Sequence, residues 1–129
     1  MRVGVVDIGT NSMRLLVRDE DRDLGRWVEV TSLGKGVDAT GRLSAGAIER
    51  TIAVFDRFGR TMDELGVDRR RAVATSATRD ATNRDVFLDR AERSLGVRPD
   101  VIGGDAEGRL AYAGATSDLD PGVDYMISD

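Results

Sequence analysis

The chain has 129 residues, 40% hydrophobic and 33% charged, which is enough for one domain with a real core. Its net charge of −4 argues against a general nucleic-acid-binding surface, and it contains neither cysteine nor histidine. Disulfide scaffolds and thiolate metal sites are thereby excluded, and any metal must sit on oxygen ligands, which favours Mg²⁺ or Mn²⁺ over zinc. No window approaches about 18 consecutive apolar residues and no signal-peptide pattern opens the chain, so neither a membrane nor a secretory protein is expected; a cytoplasmic location is the default.

In chain order, Arg2–Asp7 reads as a buried strand and Ser12–Arg18 as its hairpin partner. Asp19–Gly25, dense in charge, reads as a turn, and Arg26–Leu33 as a third antiparallel strand carrying the single Trp27. Gly34–Gly41 reads as a glycine-rich loop. Ser44 stands where an N-cap belongs, before a helix running to about Leu65, with Ile48, Ile52, Phe55, Met62 and Leu65 at helical spacing and Gly66 as the stop. Arg69–Arg71 is the one basic run, expected as a solvated turn before a strand at Arg71–Thr75; Ser76–Asn83 follows as a turn. A second helix is expected over about Arg84–Leu95, a short strand at Pro99–Ile102, a third helix at Gly104–Ala113, a turn at Asp118–Gly122 and a strand at Val123–Asp129. Three antiparallel strands followed by helix–strand–helix–strand–helix make an α/β, ribonuclease-H-like unit, with right-handed crossovers setting the later strands parallel to the first.

The most informative run is Val5–Arg14, V-V-D-I-G-T-N-S-M-R. A strand delivers one carboxylate, Asp7, to a turn of Gly9, Thr10, Asn11 and Ser12. Such a turn can bring backbone N–H groups and small hydroxyls to a phosphate while the carboxylate reaches a metal or water. The same residues also suit a plain hairpin turn. Two later runs agree with the first reading: Ala74–Asn83, A-T-S-A-T-R-D-A-T-N, and Val101–Leu110, V-I-G-G-D-A-E-G-R-L.

With the glycine loop and its T-G-R-L-S ending at Ser44, the order of these motifs resembles the exopolyphosphatase/guanosine pentaphosphate phosphatase family of the actin/Hsp70/sugar-kinase superfamily, over essentially the whole chain. The resemblance implies the first lobe of an actin-like ATPase fold at 1–122, with 123–129 as the first strand of a second, truncated part. In relatives such a strand runs into a glycine-rich phosphate loop, so the chain is expected to be a fragment and inactive by itself. It implies Glu107 acting on the attacking water, Arg79 holding the terminal phosphate, Gly9, Thr10, Asn11 and Ser12 contacting phosphate, and Asp7 with Asp129 holding Mg²⁺ (or Mn²⁺). The implied substrates are polyphosphate or guanosine pentaphosphate (pppGpp), and the full-length protein is expected as a homodimer. Bland readings stand beside these: a helix N-terminal acid for Glu107, and an ion pair with Asp80 for Arg79. Asp80 and Asn83 read as structural, a turn-bonding side chain and a helix cap, and Arg109 as an ion-pair partner. Gly34 and Gly36 either line the approach to the site or form a plain loop. Where relatives often carry an arginine, this chain has Ser32; Gly103, Asp105 and Ala106 stand where they commonly show serine and glutamates, so one acid is absent at 106. The alternative function is a regulatory module of the same superfamily that binds nucleotide, alarmone or polyphosphate without cleaving it; a sugar or acetate kinase fits the motifs less well.

Overall fold

The structure is a computed structural model that describes residues 1–102. It contains one five-stranded mixed sheet in the order β3-β2-β1-β4-β5. Strands β1 (Arg2–Ile8) and β2 (Ser12–Asp19) form an antiparallel hairpin, and β3 (Arg22–Val30) pairs antiparallel with β2 at the sheet edge. After a single helical turn, α1 (Val37–Thr40), the long helix α2 (Ala45–Glu64) crosses back to β4 (Arg69–Ala74), which runs parallel to β1. A short helix α3 (Ser76–Asp80) and then α4 (Arg84–Leu95) lead to β5 (Asp100–Val101), parallel to β4. This is the expected α/β, ribonuclease-H-like arrangement. The expected helix 104–113, turn 118–122 and strand 123–129, and with them the boundary at 122, lie outside the described residues.

Alternation along the hairpin decides which face is core. Val6 and Ile8 of β1 lie beside Leu15 and Met13 of β2, and all four are buried. Helix α2 covers this face with Ile48, Ile52, Phe55, Phe58 and Met62, its apolar residues recurring at helical spacing. Phe55 is the hub: its ring centroid lies 6.0 Å from that of Phe87 on α4 and 6.5 Å from Phe58. Contact between helix and sheet at Met62 is close enough that a Cβ on Gly4 would collide with its sulfur. Ser44 caps α2 as expected, its hydroxyl accepting from the Ala47 N–H at 3.1 Å. Among the described residues no helix is long and apolar enough to cross a membrane.

Four local expectations change. The turn at Asp19–Gly25 is shorter, because β3 starts at Arg22 and pairs with Asp19; Arg18 and Arg26 both bond Asp23, so charged residues extend an exposed edge strand instead of ending it. The loop Gly34–Gly41 encloses α1, closed by left-handed Gly36 (φ 86°) and Gly41 (φ 70°). Arg69–Arg71 is the first half of β4, not a turn: Arg70 bonds the Leu95 carbonyl at 2.7 Å and pairs with Asp63. Within the expected turn Ser76–Asn83, residues 76–80 wind into α3, which buries Ala77 and Thr78. Isolated runs this short have no helical stability of their own, so tertiary packing makes them.

Candidate functional site

The carboxyl-terminal ends of β1 and β4 lie side by side, and they bring two distant motifs together. The β1–β2 connection closes tightly, with the Gly9 N–H donating to the Ser12 carbonyl at 3.1 Å. One residue before Gly9, the Ile8 carbonyl accepts from both the backbone N–H and the hydroxyl of Thr75, each at 3.3 Å. Thr75 in turn starts the turn that carries Arg79, whose N–H donates to the Thr75 carbonyl at 2.9 Å. Residues far apart in sequence thus form one edge, at the strand ends where open α/β sheets place ligands.

A third motif enters at Gly34. Its N–H donates to the Thr10 carbonyl at 2.8 Å, and a Cβ there would meet Thr10 Cγ2 and, at 3.1 Å, Ala77 Cβ. Only glycine fits between the two turns. The Asn11 carbonyl accepts from the Thr31 and Ser32 N–H groups at 3.0 and 2.9 Å, and the Ser32 hydroxyl donates to Asn11 Oδ1 at 3.3 Å. The incoming loop therefore satisfies the carbonyls of the turn. With Oδ1 taken, the Asn11 amide nitrogen is the end of that side chain suited to an anion. Ser32, which stands where the resembled family often has arginine, adopts a left-handed φ of 53° and orients Asn11.

Asp7 lies on β1, half-buried, on the face opposite Val6 and Ile8, in register with Arg14 on β2 and Val73 on β4. Arg14 was not singled out from the sequence. Counting the hairpin register outward from Gly9–Ser12 would have found it, since directly opposed residues on one face are immediate neighbours. Arg79 donates through Nη1 to the Ile102 carbonyl at 3.1 Å, and its Nε lies 3.5 Å from Asp80 Oδ1. The expected ion pair with Asp80 is therefore present, and the guanidinium also reaches the carbonyl of Ile102. The Ile102 N–H donates to the Ala74 carbonyl at 3.2 Å, so the residue that follows β5 lies beside the end of β4.

Asn83 is a correction. It occupies the N-cap position of α4, but its side chain makes no capping bond. Its Oδ1 accepts from the Leu43 N–H at 2.9 Å and its Nδ2 donates to the Leu43 carbonyl at 3.0 Å. That bidentate bracket satisfies both polar groups of one peptide, a better use of an amide than a single cap. Glu107 and Asp129, the expected water-activating acid and second metal ligand, lie outside the described residues, as does Arg109. Among the described residues no three His, Cys, Asp or Glu side chains gather into a metal-binding group.

The sequence matches the Ppx/GppA phosphatase family over residues 5–129. The chain belongs to that family. Exopolyphosphatase 2 of Mycobacterium tuberculosis is 37% identical over 142 aligned positions, which cover 99% of this chain and 44% of that protein. The crystal structure of the Aquifex aeolicus Ppx/GppA family member superposes with a TM-score of 0.80 at 40% identity, covering 89% of this chain and 39% of that one. A ROK hexokinase from Thermus thermophilus, at 16% identity and a TM-score of 0.51, shares the fold alone. The Ppx/GppA assignment carries the actin-like fold with it, and the chain spans less than half the length of these relatives.

Proposed function

We propose that this chain is the first lobe, residues 1–122, of a phosphoanhydride hydrolase of the exopolyphosphatase type, with 123–129 beginning a second part. The observation that carries the reading is the junction of the Gly9–Ser12 turn, Gly34 and the Thr75–Arg79 turn at one sheet edge, beside Asp7. That edge collects small hydroxyls, an amide and a guanidinium, the groups that bind a terminal phosphate. The oxygen-only donor set, with one carboxylate at the turn, suits Mg²⁺ or Mn²⁺, which commonly binds through one or two carboxylates plus substrate phosphates. Asp7, with Asp129, would hold it, and when bound it neutralises charge on the phosphates.

Thr10, Asn11, Ser12 and Arg79 fix the terminal phosphoryl group in line with a water molecule. Glu107 takes the proton as that water attacks phosphorus; the P–O bond to the bridging oxygen breaks, orthophosphate leaves, and the shortened chain carries away the negative charge. Substrates of this chemistry are inorganic polyphosphate and pppGpp, and the working protein is a cytoplasmic homodimer. Residues 1–129 alone have half a cleft and should release no phosphate.

Replacing Glu107 by Gln in a longer product carrying this chain should lower turnover by about 10²–10⁴-fold while leaving substrate binding intact. Unchanged turnover would remove Glu107 from the reaction. Saturable binding with no phosphate release by the parent protein would identify a binding module instead.

A further inference from the structure

An open pocket of about 420 Å³ lies next to this edge, between the α1 loop and the start of α2. Lys35 and Arg42 line it together with Leu43, Ser44, Ile48 and Asn83, and among the described residues no acidic side chain is part of its lining. We propose that this pocket is a second phosphate subsite, which holds the body of a linear polyphosphate chain while its end occupies the Gly9–Ser12 turn. The inference rests on the function proposed above and narrows its substrate to the inorganic polymer.

Charge argues for an anion. Among the described residues, neither the Lys35 ammonium nor the Arg42 guanidinium has a hydrogen-bonded or ion-paired partner, although most other arginines of the sheet and helices do. Two cations held on one small rim repel each other, and a bound oxyanion removes that repulsion. The pocket also lies at the start of α2, so the positive end of a helix of 20 residues adds to the two side chains.

Rigidity argues for a built site. The loop bearing both cations is pinned at three points: Gly34 to Thr10, Gly41 through the Thr82 N–H at 2.8 Å, and Leu43 by the Asn83 bracket. Cations displayed on a fixed loop lose little freedom on binding. Location argues for a chain: Lys35 follows directly on Gly34, which touches the phosphate turn, so one extended polyanion can engage both places. Among the described residues the lining offers no aromatic ring for a guanine to stack on, and its amide, Asn83, is already spent on Leu43.

The test is calorimetric titration of the chain with long-chain inorganic polyphosphate and with pyrophosphate, comparing the parent with a Lys35→Ala/Arg42→Ala double variant and a charge-keeping Lys35→Arg/Arg42→Lys variant. Each lost charge-assisted contact should weaken long-chain binding about tenfold. Pyrophosphate binding should stay within about twofold, the charge-keeping variant should recover most of the loss, and the salt dependence of long-chain binding should become shallower. Both residues are exposed, so thermal melting of the variants should match the parent. Long-chain affinity retained by the double variant overturns the subsite and leaves the hydrolase reading standing. An equal loss with pyrophosphate assigns the cations to the cleaved end and also overturns it. A parent chain that binds neither probe overturns the subsite, while the hydrolase reading is decided by phosphate release from the longer product.

Discussion

Asn83 offers the sharpest check on how the site loop is held. Truncating it to Ala removes two hydrogen bonds, 2.9 and 3.0 Å long, to the N–H and C=O of Leu43, a buried residue. At about 1 kcal/mol net for each, with some recovery of solvation at the open side of the pocket, the loss should be about 2 kcal/mol. For a domain of this size that corresponds to about 7 °C in Tm. The informative companion is Asn83→Asp. Aspartate caps helices as well as asparagine does, so a capping role predicts no loss. The bracket predicts a loss comparable to Ala, because a carboxylate accepts from the Leu43 N–H but meets the Leu43 carbonyl with no proton to give. Urea unfolding monitored by circular dichroism gives both values, and an unchanged m confirms that only stability moved. Hydrogen exchange at the Leu43 amide should accelerate in both variants. An Asn83→Asp variant as stable as the parent would refute the reasoning.

Other substitutions probe the close approaches. Gly59→Ala should destabilise by about 1–3 kcal/mol despite the better helix propensity of alanine, because its Cβ would run into the Ser94 carbonyl oxygen of α4; a raised urea midpoint contradicts this. Gly34→Ala should separate the Thr10 and Ala77 turns, lowering Tm by several degrees and cutting phosphate release by the longer product; normal turnover would show that the junction tolerates a side chain. Glu49 has its pKa lowered, chiefly by the hydrogen bond from Arg90; desolvation, next in size, opposes this, and the charge of that guanidinium adds the least. A depressed carboxylate contributes stability above its unfolded pKa and loses it as pH falls through the folded value. Glu49→Gln should therefore differ from the parent near neutrality and converge with it as the pH falls through the lowered pKa of Glu49, a small effect at an exposed pair that melting curves in acid can read.

What could be read from the sequence was what local signals carry. The hairpin and α2 follow from alternation, helical spacing, the Ser44 cap and the Gly66 stop, all set by residues within a few positions of one another. The motif order placed Asp7, Gly9–Ser12 and Arg79, which share one edge. What escaped was set across the fold. Helices α1 and α3 are too short for a periodic signal and exist because their neighbours hold them. The partner of Asn83 is 40 residues away, so its capping position spoke louder than its actual bonds. Arg22–Gly25 carries the charge of a turn but lies on an edge strand, where Arg22 and Asp23 are exposed to water and their charge is no obstacle. Arg14 faces Asp7 only through a register that the hairpin turn fixes.

The central claim is hydrolysis of a terminal phosphoanhydride. The most direct measurement is to express a longer product carrying this chain, supply Mg²⁺ and inorganic polyphosphate, and follow orthophosphate together with the length of the remaining chain. The account predicts orthophosphate as the released species, polymer shortened from its end, no release without a divalent metal, and none from residues 1–129 alone. Polyphosphate bound but never shortened, or phosphate passed from ATP to an acceptor instead of water, would contradict it.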